Sequence, residues 1–104
     1  MRELKVCIVG EILPNEARQI ELDDHPPLAV YNLDGEYFVT DDTCTHGEAS
    51  LAEGDIDGEE IICPFHYGKF DIKTGEVTAA PCSEPIATYQ VIVKENVVYA
   101  LLEE

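Results

Sequence analysis

Two short stretches of the chain each carry one cysteine and one histidine. The first reads CTH and holds Cys44 and His46, and the second reads CPFH and holds Cys63 and His66. Sixteen residues separate His46 from Cys63. Because each pair is closely spaced, one loop can direct both of its side chains toward a common site. Thiolate and imidazole are ligands for zinc and iron, so the four residues predict a single metal site.

The mixed order of the ligands separates two kinds of metal site. A structural zinc site also uses two cysteines and two histidines, in tetrahedral geometry. Zinc fingers, however, usually open with a pair of cysteines and close with a pair of histidines. Here each stretch supplies one ligand of each type, which favours a site other than a zinc finger, while zinc stays the alternative.

The spacing C-x-H, sixteen residues, C-x-x-H is similar to the signature of Rieske [2Fe–2S] proteins, in which two histidines replace two cysteines on one iron. The flanking residues match as well, with CTHG at 44–47, CPFH-x-G at 63–68, and a TG turn at 74–75 after KFDI. The resemblance implies one [2Fe–2S] cluster. It also implies that Cys44 and Cys63 bind one iron, and that His46 and His66 bind the other.

The same resemblance implies which residues surround the cluster or contact partner proteins. The histidine-bound iron lies near the tip of the molecule in this family, so neighbours of these loops are candidates for screening and docking. They are Pro64, Phe65, Tyr67, Pro81 and Glu48.

The elements that must position these loops are short strands. Helical periodicity is nearly absent, whereas β-branched and aromatic runs recur between turn residues, which is typical of an antiparallel sandwich or barrel. Candidate strands cover 4–9, 17–22, 28–33, 36–40, 54–57, 60–63, 69–72, 86–93 and 97–102. Asp34-Gly35 and Asp57-Gly58 each predict a type I′ hairpin turn.

The strand pattern therefore predicts an all-β fold, and the resemblance implies a Rieske-type antiparallel β-sandwich. Residues 1–104 are expected to form a single domain. Residues 43–52 and 63–68 interrupt the strand pattern and predict two loops, which form a small cluster-binding subdomain at about 43–82. The polar, proline-containing stretch 78–85 predicts a third loop.

The two remaining cysteines are expected to have other roles. Cys7 lies in the strand-like run KVCIV and is predicted to be a small buried hydrophobic residue. Cys82 lies in AAPCSEP, beside the loop that we expect to cover the cluster, and we do not expect it to be a ligand.

The charge of the chain excludes several classes of partner. It carries 22 acidic and 6 basic residues, for a formal net charge of -16. Nucleic acids and anionic membrane surfaces require Lys and Arg contacts, so neither is expected to bind. A basic patch on another protein is the natural partner. No apolar run approaches the roughly 18 residues of a membrane span or resembles a signal peptide, so a cytoplasmic location is expected.

The histidine count limits the chemistry that the chain can perform. Of three histidines, only His25 is left after the two expected ligands, so the chain cannot also build the two-histidine, one-carboxylate iron site of an oxygenase. It also lacks the G-x-G-x-x-G motif of flavin and nicotinamide binding. We therefore expect an electron carrier, not an enzyme, which receives electrons from one protein and passes them to another.

The wider sequence resembles one group of such carriers. CTHGEASLAEGDIDGEEIICPFHYGKFDIKTGEV is similar to the Rieske ferredoxins of biphenyl, naphthalene and carbazole dioxygenase systems. The resemblance implies a monomeric carrier between an NAD(P)H-dependent reductase and the terminal oxygenase of an aromatic ring-hydroxylating system. The alternatives are the small Rieske subunit of an assimilatory nitrite reductase and a standalone Rieske protein of another pathway.

We predict that the cluster has a low reduction potential. High-potential respiratory relatives tie their two loops with a disulfide and place hydroxyl donors near the sulfurs. The corresponding positions here hold Ala49, Phe65, Gly68 and Phe70, which offer neither. We predict a midpoint of about -150 mV, at the low end of the Rieske range. Protein-film voltammetry gives the value directly, and a midpoint above about +200 mV would refute the reasoning.

Overall fold

The computed structural model describes residues 2–45, 47, 49–65, 67–80 and 82–102, and these residues form mainly short strands. The strands are β1 (Arg2–Ile8), β2 (Glu16–Ile20), β3 (Leu28–Leu33), β4 (Glu36–Asp41), β5 (Asp55–Asp57), β6 (Glu60–Ile62), β7 (Lys69–Asp71), β8 (Val77–Ala79), β9 (Thr88–Tyr89), β10 (Val91–Lys94) and β11 (Val97–Leu102). One 3-10 turn, Leu51–Glu53, follows the first Cys/His stretch.

The strands form three antiparallel sheets in the described part of the chain. Their orders are β1-β11-β10, β2-β3-β4-β9 and β5-β6-β7-β8. The third sheet contains the strands on either side of the second Cys/His stretch. In the parts of the chain that are described, no helix is long and apolar enough to cross a membrane.

The all-β prediction is confirmed, with two differences in the strands. The predicted strand at 86–93 is divided at Gln90 into β9 and β10, which belong to different sheets. The three-residue strand β8 was missed, because the small and proline-rich residues that follow it led us to predict a loop from residue 78. Strands of this length carry too little alternation to be recognised from pattern alone.

The two predicted hairpin turns differ in how well they agree with the structure. Asp34 and Gly35 have φ angles of 53° and 97°, as the predicted type I′ turn requires. The turn predicted at Asp57-Gly58 was wrong by one residue, because Asp57 pairs with Glu60 in the β5–β6 ladder and the turn is formed by residues 58 and 59. Of the predicted Asp-Gly pair, only Gly58 there has a positive φ, of 64°.

Strand β3 is buried on both of its faces and separates two hydrophobic cores. Leu28 and Val30 pack in the core between the first two sheets, together with residues of β1, β4 and β11. Ala29, Tyr31 and Leu33 pack on the opposite face, in the core that also contains the cysteines of the two loops. All six residues of β3 are buried, as expected for a strand that is covered on both sides.

Asp42 joins three parts of the chain at the start of the first Cys/His loop. Its side chain is 1% exposed. One carboxylate oxygen accepts a hydrogen bond from Gln19 Nε2 at 2.7 Å, and the other accepts one from the backbone N–H of Ala52 at 2.9 Å. Its backbone carbonyl accepts from the N–H of Leu51 at 2.7 Å. Because a buried carboxylate is stable only when it is hydrogen-bonded, these contacts fix where the loop leaves β4.

We predict that Asp42→Ala destabilises the protein. The variant removes the acceptor of two part-buried hydrogen bonds, from the side-chain amide of Gln19 and from the N–H of Ala52, which costs about 1–3 kcal/mol. For a domain of this size, that loss lowers the apparent melting temperature by roughly 5–15 °C, as followed by near-UV circular dichroism. Asp23→Ala removes an exposed carboxylate in the β2–β3 connection and serves as the control, with an expected change below about 3 °C. Equal melting temperatures for the two variants would contradict the prediction.

Candidate metal centre

The first Cys/His loop is closed by hydrogen bonds from and to Cys44. The N–H of Cys44 donates to the carbonyl of Ala49 at 3.0 Å, and the carbonyl of Cys44 accepts from Gly47 at 3.2 Å. An isolated bridge between Thr43 and Ser50 closes the base of the loop. The Cys44 side chain is 3% exposed, so the loop turns its thiol inward.

The second Cys/His loop is the connection of the β6–β7 hairpin. Here the N–H of Cys63 donates to the carbonyl of Gly68 at 2.7 Å, so in both loops the cysteine N–H bonds to the carbonyl five residues later. Cys63 is fully buried. Tyr67 adopts a φ of 61°, a left-handed conformation that is unusual for a residue with a side chain. Such conformations cluster where a loop has to present particular groups.

The fold brings the thiols of the two loops together. Both Cys44 and Cys63 belong to the core on the second face of β3. Burial raises the pKa of the Cys63 thiol, and the neighbouring Cys44 raises it further. A buried thiolate is therefore unfavourable here until a cation compensates its charge, so metal binding would displace protons from these sulfurs.

A third thiol, that of Cys82, lies in the same cluster. Its Sγ is 4.0 Å from Sγ of Cys44, and its side chain is 4% exposed. Burial and the neighbouring Cys44 raise its pKa. Its position in the sequence predicted that it lies beside the cluster but indicated no role, because a single cysteine without a paired histidine shows no ligand spacing.

The loop that carries Cys82 contacts both Cys/His loops. The hydroxyl of Thr45 donates to the carbonyl of Glu84 at 2.7 Å, which joins the third loop to the first. A side-chain carbon added at Gly68 would overlap the sulfur of Cys82, so the third loop also packs directly against the second. The position at residue 68 consequently accepts only glycine in this packing.

The candidate docking residues that are described lie at the surface. Phe65 is 53% exposed and Tyr67 is 75% exposed, and Pro64 is also exposed. Phe65 also reaches the first loop, since a carbon added at Gly47 would lie 3.6 Å from its Cδ2 atom. The ring of Phe65 therefore lies close to the first loop. The other predicted site residues, His46, His66, Glu48 and Pro81, lie outside the described residues.

The donors that are described fit an iron–sulfur cluster. Two buried thiols from separate loops provide soft anionic ligands, and the apolar core around them limits the access of water. Among residues 2–45, 47, 49–65, 67–80 and 82–102, no three Cys, His, Asp or Glu side chains are arranged to hold a metal ion. The described residues therefore supply the thiol half of the expected ligand set.

Comparison with known families identifies the class of protein. The model of the Rieske [2Fe–2S] domain matches residues 2–90. The chain belongs to this family, and its cofactor is one Rieske-type [2Fe–2S] cluster. Cys7 is 2% exposed and lies in the core between the first two sheets, not in the core that contains the other three cysteines, as expected for a packing residue.

Within the family, the chain is similar to ferredoxins of dioxygenase systems. It is 44% identical to ferredoxin CarAc of Metapseudomonas resinovorans over 97% of this chain and 94% of that protein. It is 46% identical to the biphenyl dioxygenase ferredoxin subunit of Pseudomonas sp. strain KKS102, over 84% and 80% of the two chains. A solved complex of reduced oxygenase and oxidised ferredoxin in carbazole 1,9a-dioxygenase contains a chain with a TM-score of 0.91 and 44% identity, covering 94% of this chain and 91% of that one.

The similarity to nitrite reductase subunits is more distant. A structure described as a putative NADH-dependent nitrite reductase small subunit from Mycobacterium tuberculosis has a TM-score of 0.84 but only 17% identity, with 95% and 93% of the chains covered. At that identity the likeness concerns the fold alone. The comparison thus favours the ferredoxin group over the nitrite reductase alternative.

We predict that Cys44→Ser and Cys63→Ser each abolish the Rieske cluster. The hydroxyl of serine is a poor substitute for a thiolate on iron, so bound iron should fall from about two atoms per chain to near zero. Iron analysis and the visible circular dichroism spectrum measure the loss. Cys7→Ala removes a buried thiol from the other core and should retain the cluster. Full cluster content in either serine variant would remove that cysteine from the ligand set.

Proposed function

We propose that the protein is a one-electron carrier. It takes electrons from an NAD(P)H-dependent reductase and delivers them to the terminal oxygenase of an aromatic ring-hydroxylating dioxygenase system. The observation that carries the proposal is the similarity to a ferredoxin solved in complex with the oxygenase of carbazole 1,9a-dioxygenase, at 44% identity over 94% of this chain and 91% of that one. The protein catalyses no reaction on the aromatic substrate itself.

In the proposed ligand set, each of the two loops supplies one ligand to each iron. Cys44 and Cys63 hold one iron, and His46 and His66 hold the other, with residues 43–82 acting as the cluster-binding subdomain. The cluster, when bound, stores one electron at a potential that the two neutral imidazoles raise above that of four-cysteine clusters. Burial of the two thiols keeps water from their sulfurs, while the two histidines provide the edge nearest to partner proteins.

The proposed docking surface consists of the exposed residues beside the second histidine. Pro64, Phe65 and Tyr67 flank His66 in sequence, and their exposure supports a role in contact with partners. Pro81 and Glu48 are proposed to complete this surface on the basis of sequence alone. Electron-transfer interfaces are small and transient, so a few exposed aromatic and proline side chains are sufficient.

The charge of the surface supports docking to basic partners. Five of the six basic residues form ion pairs with acidic neighbours, namely Arg2–Asp24, Arg18–Glu11, Lys69–Asp57, Lys73–Glu59 and Lys94–Glu3. Among the residues that the structure describes, most acidic side chains are therefore exposed and lie outside these five ion pairs. An acidic surface increases the rate of encounter with a basic one at low ionic strength.

We propose in addition that the carrier is a monomer in isolation and acts in the cytoplasm. None of the four cysteines forms a disulfide, although the sulfurs of Cys44 and Cys82 lie only 4.0 Å apart. Reduced thiols are the rule in a reducing compartment, which supports this location.

The function is tested by reconstitution with its partners. A purified reductase and a terminal oxygenase of a dioxygenase system, with NADH and an aromatic substrate, should consume oxygen only when this protein is added. Stopped-flow absorbance should show reduction of the cluster by the reductase and reoxidation by the oxygenase. Electron delivery to a sirohaem nitrite reductase, and none to the oxygenase, would overturn the proposal.

We predict that docking depends on the exposed aromatic residues and on salt. Phe65→Ala and Tyr67→Gly should each slow transfer to the oxygenase about five- to tenfold at unchanged potential, because aromatic side chains dominate interface energies. Glycine is chosen at position 67 because it accepts the positive φ without strain. Val93→Ala, which shortens a 52% exposed residue on β10, is the control and should have little effect.

Salt provides an independent measure of the charge contribution. Raising the ionic strength from about 0.01 to 0.15 M shortens the Debye length from about 30 to 8 Å, so the second-order transfer rate should fall. A rate that is independent of salt would show that the acidic surface does not steer the encounter. Unchanged rates in both aromatic variants would place the docking surface elsewhere.

A further inference from the structure

The third buried thiol has no part in the ligand set, yet it lies against a proposed ligand. Sγ of Cys82 is 4.0 Å from Sγ of Cys44, and both side chains are buried in the core on the second face of β3. A thiol and its sulfur neighbour at this distance can form a hydrogen bond in either direction when both are protonated.

The position of the Cys82 sulfur is fixed by the packing around it. The sulfur occupies the volume that a side chain at Gly68 would need, and the backbone of Cys82 lies against the same glycine. The carbonyl of Gly68 in turn accepts the N–H of Cys63 at 2.7 Å. The bond from Thr45 to the carbonyl of Glu84 holds the rest of the loop in place. The thiol is therefore held between the two cluster loops.

Cluster binding decides the direction of the hydrogen bond. As a ligand, the sulfur of Cys44 has no proton and can only accept. We propose that the thiol of Cys82 keeps its proton and donates it in a hydrogen bond to the Cys44 sulfur, and that this bond raises the reduction potential of the cluster. The inference rests on the proposed role of Cys44 as a ligand, and it makes Cys82 a positioning and tuning residue.

The electronic reason is the change of charge at the sulfur. When one electron is added from the reductase, negative charge on the sulfurs rises and the bond from the Cys82 S–H strengthens, while no bond is broken and no proton leaves. A donor that interacts more strongly with the reduced form shifts the equilibrium toward it. Because a thiol is a weaker donor than a hydroxyl, the shift is modest and agrees with a low overall potential.

The test compares reduction potentials of variants at residue 82. Cys82→Ala removes the donor and should reduce the equilibrium constant for reduction about three- to tenfold, a tenfold change being 59 mV for one electron. Cys82→Ser restores a donor and should recover or exceed the original potential. Cys7→Ala, which removes an equally buried thiol from the other core, should leave the potential unchanged.

A second readout detects the proton itself. Pulsed EPR of the reduced cluster in H₂O and in D₂O should show, beside the couplings of the histidine ring N–H protons, one further exchangeable proton coupling that disappears in Cys82→Ala and returns in Cys82→Ser. A purely structural role would not produce this pattern. If Cys82→Ala does not retain the cluster, the serine variant and the solvent-exchange measurement still decide the question.

Several results would overturn the inference. An unchanged reduction potential in Cys82→Ala would overturn it, and so would survival of the additional exchangeable coupling in that variant. Loss of the Rieske signal in both variants at residue 82, with retention in Cys44→Ser, would instead show that Cys82 is the ligand. Loss of the cluster in Cys44→Ser, together with an unchanged potential in Cys82→Ala, would refute this inference and leave the proposed ligand set intact.

Discussion

The burial of strand β3 on both faces is the constraint on which the rest of the structure depends. One face closes the core between the first two sheets, and the other closes the core that contains the cysteines of the site. Because side chains alternate along a strand, a shift of one residue would exchange the two sets. The tight turn at Asp34-Gly35 fixes the pairing of β3 with β4, and with it the register of both cores. Because the register of β3 is fixed, this strand also fixes the position of the metal centre relative to the sandwich.

The site combines two loops of the same local design with a third of a different kind. The cysteine N–H bonds in the first two loops have the same spacing, so each loop directs its thiol inward by its own backbone. What brings the loops together is non-local, since it depends on the contacts of the third loop with Thr45 and Gly68. Packing therefore holds the loops together in a chain that has Ala49 and Phe65 where high-potential relatives have a disulfide.

The sequence predicted that Cys44 and Cys63 lie together, and both are found in one core, whereas some turns and short strands were not predicted. The convergence of Cys44 and Cys63 could be foreseen because metal coordination demands a particular set of ligands, whatever the connections between them. Strand β8 and the turn after Asp57 could not, since three residues carry little periodicity and the turn depends on which cross-strand pairs form. The contact of Cys82 with Cys44 could not be predicted either, because it results from the packing of residues that are far apart in the chain. The positions of His46 and His66 stay predictions from the motif.

The shared volume of Gly68 and Cys82 has a consequence for how such proteins can diverge. A side chain at 68 and a thiol at 82 would occupy the same space, so the two positions form one unit of variation. A relative that gains a side chain at 68 must first accept a smaller residue at 82, or lose the packing of its third loop. Changes at these positions should be strongly non-additive, with each tolerated or damaging according to the state of the other. If the third loop is to stay packed, a hydrogen-bond donor can therefore move from position 82 to position 68 only through an intermediate that has neither the thiol at 82 nor a side chain at 68.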